Sequence, residues 1–247
     1  MISAGIDIGS RTIKLVVVKD GKIVHSTIRE NSFQTLSVCQ EMLNGISYDT
    51  IISTGYGRHL FESGYGGKTI SEIKAFALGA SAAIPSCRTI LDIGGQDIKA
   101  VSLDEAGFVR KFEMNDKCSA GTGRFLEIMS LALGFELSDF GAMALKAERA
   151  EKINSMCTVF AESEVISLVS RGAKRDDVAL GIHQSIVGRA RSMLSRVQID
   201  EDLVFVGGAA LNPCIRKLME DSLGIPVIVP SDPQIVGAYG CALFGTV

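Results

Sequence analysis

The sequence has no tryptophan, only five prolines among 247 residues and no two cysteines at the Cys-x-x-Cys spacing. Its six scattered cysteines match neither a secreted disulfide framework nor a local zinc site. Lysine and arginine form no block, and the formal net charge is −3. The chain therefore lacks the basic surface that nucleic-acid binding needs, and we expect reduced thiols and no nucleic-acid partner.

Long apolar segments are also missing. No stretch approaches the ~18 uncharged apolar residues that cross a bilayer, and Asp7, Arg11 and Lys14 interrupt the first apolar run. We therefore expect a cytoplasmic protein without a membrane partner. The length fits one large or two small domains, and hydrophobic residues, 47% of the chain, can fill a core in each, which excludes disorder.

An internal repeat is the most informative feature of the sequence. Residues 91–101 (LDIGGQDIKAV) align with residues 6–16 (IDIGSRTIKLV), with six identities among eleven positions. Each copy places an aspartate at a strand end, a glycine at the turn and alternating apolar residues after it. A second turn follows in each copy, at Asp20-Gly21 and at Ala106-Gly107, and leads to a third strand. The sequence thus predicts a duplicated three-stranded meander.

Apolar periodicity predicts the remaining elements. The predicted helices are Phe33 to Leu43, Ser71 to Ala83, Phe125 to Leu133, Val159 to Val169 and Val178 to Val197. Two further strands are predicted at Thr50 to Ser53 and Leu203 to Val206. Together these elements predict an α/β protein built from two similar halves.

The two Asp-Ile-Gly turns suit the phosphates of a nucleotide. A glycine turn aims backbone N–H groups at an anion without an obstructing side chain, and carboxylates such as Asp7 and Asp92 suit a hydrated Mg²⁺. A third turn, Gly207-Gly208-Ala209, ends another apolar strand, where it could lie against a nucleoside. A single Asp-Ile-Gly turn is also ordinary strand-end chemistry, but two matched copies and a third glycine turn favour nucleotide binding.

Two other nucleotide motifs are excluded by one residue each. Gly67-Lys68-Thr69 ends like a P-loop, but Glu62 stands where the first glycine is required. Gly55-Tyr56-Gly57 begins like a dinucleotide-binding fingerprint, but Leu60 stands at the third glycine.

The glycine motifs resemble those of a known superfamily. The two Asp-Ile-Gly turns and the Gly207-Gly208 loop are similar, in order, to the phosphate-1, phosphate-2 and adenosine motifs of the sugar kinase, heat-shock chaperone and actin superfamily. Within it, four segments resemble the ATP-dependent activators of 2-hydroxyacyl-CoA dehydratases. These segments are Gly55 to Arg58, Asp92 to Asp97, Met114 to Phe125 and Cys157 to Glu164.

The resemblance implies a duplicated ribonuclease-H-like (actin-like) α/β fold with two domains. The first half would span residues 1–84 and be completed by a C-terminal helix at 232–247, and the second would span 85–231. The resemblance also implies ATP or ADP as ligand, with Mg²⁺ held by Asp7 and Asp92. The residues expected to bind the nucleotide are Asp7, Gly9, Ser10, Arg11, Thr12, Lys14, Asp92, Gly94, Gly95, Gln96, Gly121, Thr122, Gly123, Gly207, Gly208 and Ala209.

Hydrolysis of ATP needs a group that orients water. Chaperone ATPases use a carboxylate in the helix that connects their halves, so the resemblance makes Glu72 the first candidate. Glu72 also suits an ordinary acidic helix start. Gln96 and Asp97 are alternatives, and Asp7 would take part in catalysis through its Mg²⁺.

Two cysteines precede predicted helices, whose positive ends favour a thiolate. Spacing alone does not distinguish Cys118 and Cys157 from buried cysteines, the role we expect for the other four. In the activator family the equivalent cysteines bind a 4Fe-4S cluster, so the resemblance implies one here. Because such a cluster usually takes four thiolates, two per chain imply a homodimer with the cluster on its symmetry axis.

The function implied is an ATPase coupled to electron transfer. A ferredoxin or flavodoxin would reduce the cluster, which would pass one low-potential electron to a partner 2-hydroxyacyl-CoA dehydratase or related reductase. The loop of Gly121, Thr122 and Gly123, directly beyond Cys118, would link nucleotide to cluster, although Thr122 also suits a simple helix cap. Two alternatives stay open: a small-molecule kinase of the same superfamily, and a nucleotide-switched interaction protein similar to actin or the chaperones.

Overall fold

Two five-stranded mixed sheets form the centre of the protein. The computed structural model describes residues 1–155, 157–199 and 202–246. In the first sheet the strand order is β3-β2-β1-β4-β5, and in the second it is β10-β9-β6-β7-β8. The strands of the first sheet are β1 (Ile2–Ile8), β2 (Thr12–Lys19), β3 (Lys22–Glu30), β4 (Thr50–Thr54) and β5 (Lys68–Thr69). Those of the second are β6 (Thr89–Ile93), β7 (Ile98–Leu103), β8 (Val109–Asn115), β9 (Leu203–Val206) and β10 (Val227–Ile228).

The two sheets repeat one topology. In each, three consecutive strands form an antiparallel meander, and a later strand pairs in parallel with the first strand of that meander. Strands β1 and β6 are therefore central, and their side chains are buried on both faces apart from Ile2. The duplicated meander predicted from the sequence repeat is confirmed.

Helices surround both sheets. They are α1 (Thr35–Leu43), α2 (Arg58–Tyr65), α3 (Glu72–Ala83), α4 (Gly123–Ala132), α5 (Leu137–Ala144), α6 (Thr158–Ser170), α7 (Arg175–Val197), α8 (Pro213–Leu223) and α9 (Val236–Phe244). The five predicted helices correspond to α1, α3, α4, α6 and α7, with ends within three residues of those predicted. Helices α2, α5 and α8 were not predicted. None of the described helices is long and apolar enough to cross a bilayer.

Helices α3 and α9 approach each other so closely that glycine is required at their contact. A Cβ atom on Gly79 of α3 would collide with the carbonyl oxygen of Val236. One on Gly240 of α9 would collide with the carbonyl oxygen of Ala75. The two backbones are thus in direct contact, with no side chains between them.

This helix pair joins the two sheets. Helix α9 covers β1, where a Cβ atom on Gly5 would meet the carbonyl oxygen of Ala238. Helix α3 instead places Phe76 and Ala80 in the apolar core beneath the second sheet. Helix α9 lies within the segment predicted as a helix at 232–247, of which Val247 falls outside the described residues. The domain limits themselves stay a prediction.

Candidate functional site

The two Asp-Ile-Gly turns have the same backbone geometry. In the first, the Gly9 N–H donates to the Thr12 carbonyl at 3.1 Å, and in the second the Gly94 N–H donates to the Asp97 carbonyl at 2.9 Å. The turns belong to different sheets yet touch each other. A Cβ atom on Gly95 would lie 2.8 Å from Cγ of Arg11 in the opposite turn, so glycine is needed there.

A cavity of about 970 Å³ opens between these turns. Its lining includes most of the residues predicted to bind nucleotide: Asp7, Gly9, Ser10, Arg11, Thr12, Lys14, Asp92, Gly94, Gly95, Gln96, Gly123, Gly207, Gly208 and Ala209. It also includes Glu72 and Asp97, the candidates for orienting water. Gly121 and Thr122 are outside the lining, and the Thr122 hydroxyl donates to the Ser119 carbonyl at 2.6 Å. The cavity therefore brings together residues that are far apart in the sequence.

Arg11 bridges the two sides of this cavity. Its Nε atom lies 3.0 Å from Oε1 of Glu127 on α4, whose other oxygen lies 2.9 Å from Arg124. Arg11 and Arg124 are each 47% exposed, and such exposed ion pairs contribute at most ~1 kcal/mol. A nucleotide phosphate could therefore displace Glu127 from Arg11 at little cost.

Each aspartate that ends a central strand faces a lysine on the neighbouring strand. The ladder pairs Asp7 with Lys14 and Asp92 with Lys99. Lys14 Nζ lies 3.6 Å from Oδ2 of Asp7, and Lys99 Nζ lies 3.1 Å from Oδ2 of Asp92. The sequence repeat is thus also a repeat of a buried or half-buried ion pair.

Lys99 is surrounded by carboxylates. Besides Asp92, its Nζ atom lies 2.8 Å from Glu72 Oε2 and 2.7 Å from Asp97 Oδ2, and the side chain is 2% exposed. Burial lowers the pKa of Lys99, but the three carboxylates outweigh burial and raise it well above its usual value. Burial also raises the pKa of Asp92, to about 6, against the opposing effect of Lys99. The ammonium therefore stays charged in the centre of the cluster.

Glu72 lies between Arg58 of α2 and Lys99 of β7. It is in the first turn of α3, whose N-cap Ser71 accepts the Lys74 N–H at 3.3 Å. Its carboxylate contacts Lys99 through one oxygen, and the other lies 4.0 Å from Nη1 of Arg58. Helix α3 thus presents Glu72 to the cavity. Its role in hydrolysis stays a prediction.

Two glycines press against the strand-end aspartates in the same way. Gly55 follows β4 with φ +88°, and a Cβ atom there would lie 2.6 Å from Asp7 Oδ1. Gly207 follows β9 with φ +85°, and a Cβ atom there would collide with Asp92 Oδ1. Because β4 and β9 occupy the same place beside β1 and β6, these glycines are equivalent members of the repeat.

Gly55→Ala and Gly207→Ala should each weaken Mg-ATP binding by about tenfold or more, because the new methyl group displaces the adjacent carboxylate. Both positions also have a positive φ, and at Gly207 (φ 85°, ψ 178°) the backbone conformation is essentially restricted to glycine. Gly66→Ala is the matched control, since Gly66 (φ 74°, ψ −157°) has the same type of backbone conformation as Gly207 but open space around its Cβ position. Titration with Mg-ATP measures the effect. Equal affinities in all three variants would contradict this role of the two glycines.

The loop after β9 is fixed by a buried histidine. Its short 3-10 helix, Gly208–Leu211, leads to Asn212, which caps α8 by accepting two backbone N–H groups at 3.0 and 3.1 Å. The Asn212 amide lies 3.0 Å from Nε2 of His183, whose Nδ1 lies 2.7 Å from the Ala179 carbonyl. Burial lowers the pKa of His183 to about 4, so the neutral ring donates from Nδ1 and accepts at Nε2. This network holds the loop predicted to contact the nucleoside.

The six cysteines fall into two classes. Four are buried: Cys39, Cys87, Cys214 and Cys241. Burial raises the pKa of all four thiols, to about 11 at Cys39 and about 12 at Cys87 and Cys214. Cys118 and Cys157 are exposed. The two cysteines predicted to hold a cluster are therefore the two that the surrounding solvent or another molecule can reach.

Cys118 and Cys157 belong to one region of the surface. The residues that follow them are in contact, since Oγ of Ser119 lies 3.1 Å from Oγ1 of Thr158. Cys157 is the N-cap residue of α6, as predicted. Cys118 does not directly precede a helix, because residues 119–122 separate it from α4.

The segment before Cys157 is tied to α6 by a carboxylate. Glu164 accepts the backbone N–H groups of Asn154 and Ser155, at 3.0 and 2.8 Å. Burial raises the pKa of Glu164, but these hydrogen bonds outweigh it and lower the pKa to about 2. Glu164 thus anchors Asn154 and Ser155 to α6, the helix that begins after Cys157.

A family relationship accounts for these features. The sequence model of the BadF/BadG/BcrA/BcrD ATPase family matches residues 4–245. The chain belongs to this family. It is 40% identical to the 2-hydroxyisocaproyl-CoA dehydratase activator of Clostridioides difficile, over 99% of this chain and 94% of the relative. It is 39% identical to the (R)-2-hydroxyglutaryl-CoA dehydratase activating ATPase of Acidaminococcus fermentans, over 97% of this chain and 95% of the relative.

A solved family structure has the same fold. The activator of the 2-hydroxyisocaproyl-CoA dehydratase from Clostridium difficile with bound ADPNP matches with a TM-score of 0.92 at 40% identity, over 99% of this chain and 94% of that chain. The predicted family, the duplicated actin-like α/β fold and the ATPase activity are thereby confirmed. The alternative of a small-molecule kinase is not favoured.

Proposed function

We propose that this chain is an ATP-hydrolysing activator that delivers single electrons to a partner 2-hydroxyacyl-CoA dehydratase or related reductase. It rests on direct hydrogen bonds between the turn of Gly94 and Gly95, which is predicted to bind phosphate, and the segment of residues 118–124, which begins with Cys118. The Gly123 N–H donates to the Gly94 carbonyl, and the Arg124 N–H donates to the Gly95 carbonyl, both at 2.9 Å. Residues 118–124 therefore join Cys118 to the turn predicted to bind phosphate.

The donor set fits Mg-ATP. Asp7 and Asp92 are 5% and 2% exposed and line the same cavity, and each carboxylate has one oxygen near a lysine and another near a glycine. Hard oxygen donors in small number suit a Mg²⁺ ion that keeps water ligands. Lys14 and the backbone N–H groups of the two turns would hold the phosphates. The loop beginning at Gly207 would contact the nucleoside.

The cysteines fit half of a 4Fe-4S site. Cys118 and Cys157 are exposed thiols in one region, while the described residues of this chain contain no group of three or more side chains that could hold a metal ion. Four thiolates are the usual set for such a cluster, so a second copy of the chain would supply the other two. Val159 and Phe160, in the first turn of α6, are each 67% exposed. Apolar side chains beside an incomplete ligand set support a homodimer at this surface.

When bound, the cluster would supply one low-potential electron to the partner, after reduction by a ferredoxin- or flavodoxin-type donor. The residues of the chain would control its surroundings. Phosphate bound at Gly94 and Gly95 would move the start of α4, and the contact of Ser119 with Thr158 would carry that change to α6 and Cys157. Hydrogen bonding to the thiolates and their exposure to solvent set the reduction potential of such a cluster. ATP would therefore act by changing this reduction potential. Six free cysteines suit a reducing cytoplasm.

Glu72 would orient the hydrolytic water, with Gln96 and Asp97 as alternatives. An ionised carboxylate is a strong hydrogen-bond acceptor for water, and Glu72 reaches the cavity from α3. Gln96 is exposed in the second turn, next to Asp97. Glu72 and Asp97 both contact Lys99, at 2.8 and 2.7 Å, and Glu72 also lies 4.0 Å from Arg58.

The test is ATP-dependent electron delivery. Protein purified without oxygen would be reduced with dithionite, freed of excess reductant and mixed with purified 2-hydroxyisocaproyl-CoA dehydratase as the acceptor. We expect visible absorbance from the cluster and its reoxidation by the acceptor only when Mg-ATP is present. Omitting ATP, or supplying ADPNP, controls for reoxidation without hydrolysis. Colourless protein that hydrolyses ATP, or reoxidation at one rate with and without ATP, would contradict the proposal.

A further inference from the structure

The two lysines of the repeat occupy matching places but have different surroundings. Both lysines line the cavity, but Lys14 is 15% exposed and lies 3.6 Å from a single carboxylate, that of Asp7. Lys99 is 2% exposed and lies between 2.7 and 3.1 Å from three carboxylates. An ammonium group has three N–H donors, which equals the number of carboxylates around Lys99. Lys14 is thus open to a ligand, whereas Lys99 is occupied by the protein.

Lys99 offsets the repulsion between the carboxylates of Glu72 and Asp92. The nearest oxygens of Glu72 and Asp92 are at most about 6 Å apart, since each lies about 3 Å from Nζ of Lys99. Like charges at that separation in a buried site repel each other strongly. Glu72 belongs to α3 and Asp92 to β6, so without the ammonium the helix start would be pushed away from the strand end. The attraction of both carboxylates to one cation fixes them relative to each other.

The group formed by Lys99 and its three carboxylates is compatible in charge with a nearby metal ion. Its three carboxylates exceed the positive charges of Lys99 and of Arg58, which lies 4.0 Å from Glu72, so the cluster stays negative and attracts a divalent cation. Asp92 Oδ1, which faces Gly207, is the oxygen that does not contact Lys99. Lys99 and Mg²⁺ can therefore share Asp92, and neither needs to displace the other.

We propose that Lys99 is a positioning residue of the ATPase, which holds Glu72 beside Asp92 and Asp97 and does not contact phosphate. The two lysines of the repeat have then divided their roles: Lys14 binds the nucleotide and Lys99 fixes the carboxylate that orients water. This inference rests on the proposed role of Glu72 in hydrolysis.

A double-mutant cycle tests the inference through the steady-state kinetics of ATP hydrolysis. Lys99→Met and Glu72→Gln should each lower kcat by about 100-fold, the scale of a lost positioned acid–base group. The double variant should fall no further than either single variant, because both changes remove one function. The KM for Mg-ATP should change less than about threefold in Lys99→Met and rise at least tenfold in Lys14→Met. Lys111→Met, at an exposed position of β8, is the matched control and should match the unmodified protein.

Several outcomes would overturn the inference. Multiplicative losses in the double variant would show that Lys99 acts independently of Glu72, as would an unchanged kcat in Glu72→Gln alone. A raised KM with unchanged kcat in Lys99→Met would show a phosphate contact. If Lys99→Met does not fold, Lys99→Met with Asp97→Asn removes the excess charge, and Asp97→Asn alone is its reference. Iron content, measured on the same samples, reports separately on the proposed electron-transfer function.

Discussion

Cys118→Ala and Cys157→Ala should each yield colourless protein from anaerobic purification. We expect about four iron and four sulfide per dimer in the unmodified protein, bound by four thiolates. In a homodimer each substitution removes two of these four ligands at once, so a partial cluster is not expected. Iron and sulfide analysis, visible absorbance and the mass in solution measure the outcome.

The control for this prediction is Cys39→Ala. Cys39 is buried in the core beneath the first sheet, far along the chain from the exposed pair, and its loss should leave iron content unchanged. Full iron content in either Cys118→Ala or Cys157→Ala would contradict the ligand assignment. Full iron content in a strictly monomeric protein would contradict the shared site.

Asp7→Asn should abolish most ATP hydrolysis and leave the cluster intact. The substitution keeps the size of the side chain but removes the charge that would hold Mg²⁺ and pair with Lys14. Even changes outside the first ligand shell lower metal affinity by about 10- to 100-fold, so the loss in kcat/KM should be at least that large. Hydrolysis rates over a range of Mg²⁺ concentrations, with iron analysis of the same sample, give both readouts.

Asp20→Asn is the matched control for Asp7→Asn. Asp20 lies in the exposed turn between β2 and β3 with φ +51°, a conformation that asparagine also accepts, so hydrolysis should not change. If Asp7→Asn lost its iron but kept its hydrolysis rate, the separation of the two sites argued above would be wrong.

The sequence predicted the parts of the fold that local pattern determines. Both meanders followed from one repeat, because alternating apolar residues around a glycine turn have few other solutions. Helices α2 and α5 escaped prediction because they have only eight residues each, too few for a clear helical period. Helix α8 does have start and stop signals in the sequence, since Asn212-Pro213 begins it and Gly224 ends it with φ +69°.

The site was predictable where residues end a strand, and less so where distant elements converge. The sequence indicated that Asp7 and Asp92 share one chemistry, and both line the cavity. It did not indicate that Lys99 is enclosed, because the third carboxylate comes from α3. The sequence also does not reveal that Gly55 and Gly207 are equivalent, because their equivalence depends on the parallel pairing of β4 with β1 and of β9 with β6. One signal in the sequence does point to Lys99, because the repeat aligns it with Lys14, a residue predicted to bind the nucleotide.

The position of α9 has a consequence for biosynthesis. This helix covers the first sheet through Gly5 and β2, yet a ribosome makes it only after all of β6 to β10 has been synthesised. Val16 and Val18 therefore remain without their apolar cover during most of translation. Until α9 packs on them, the N-terminal strands expose apolar surface, so we expect the nascent chain to be prone to aggregation unless that surface is shielded.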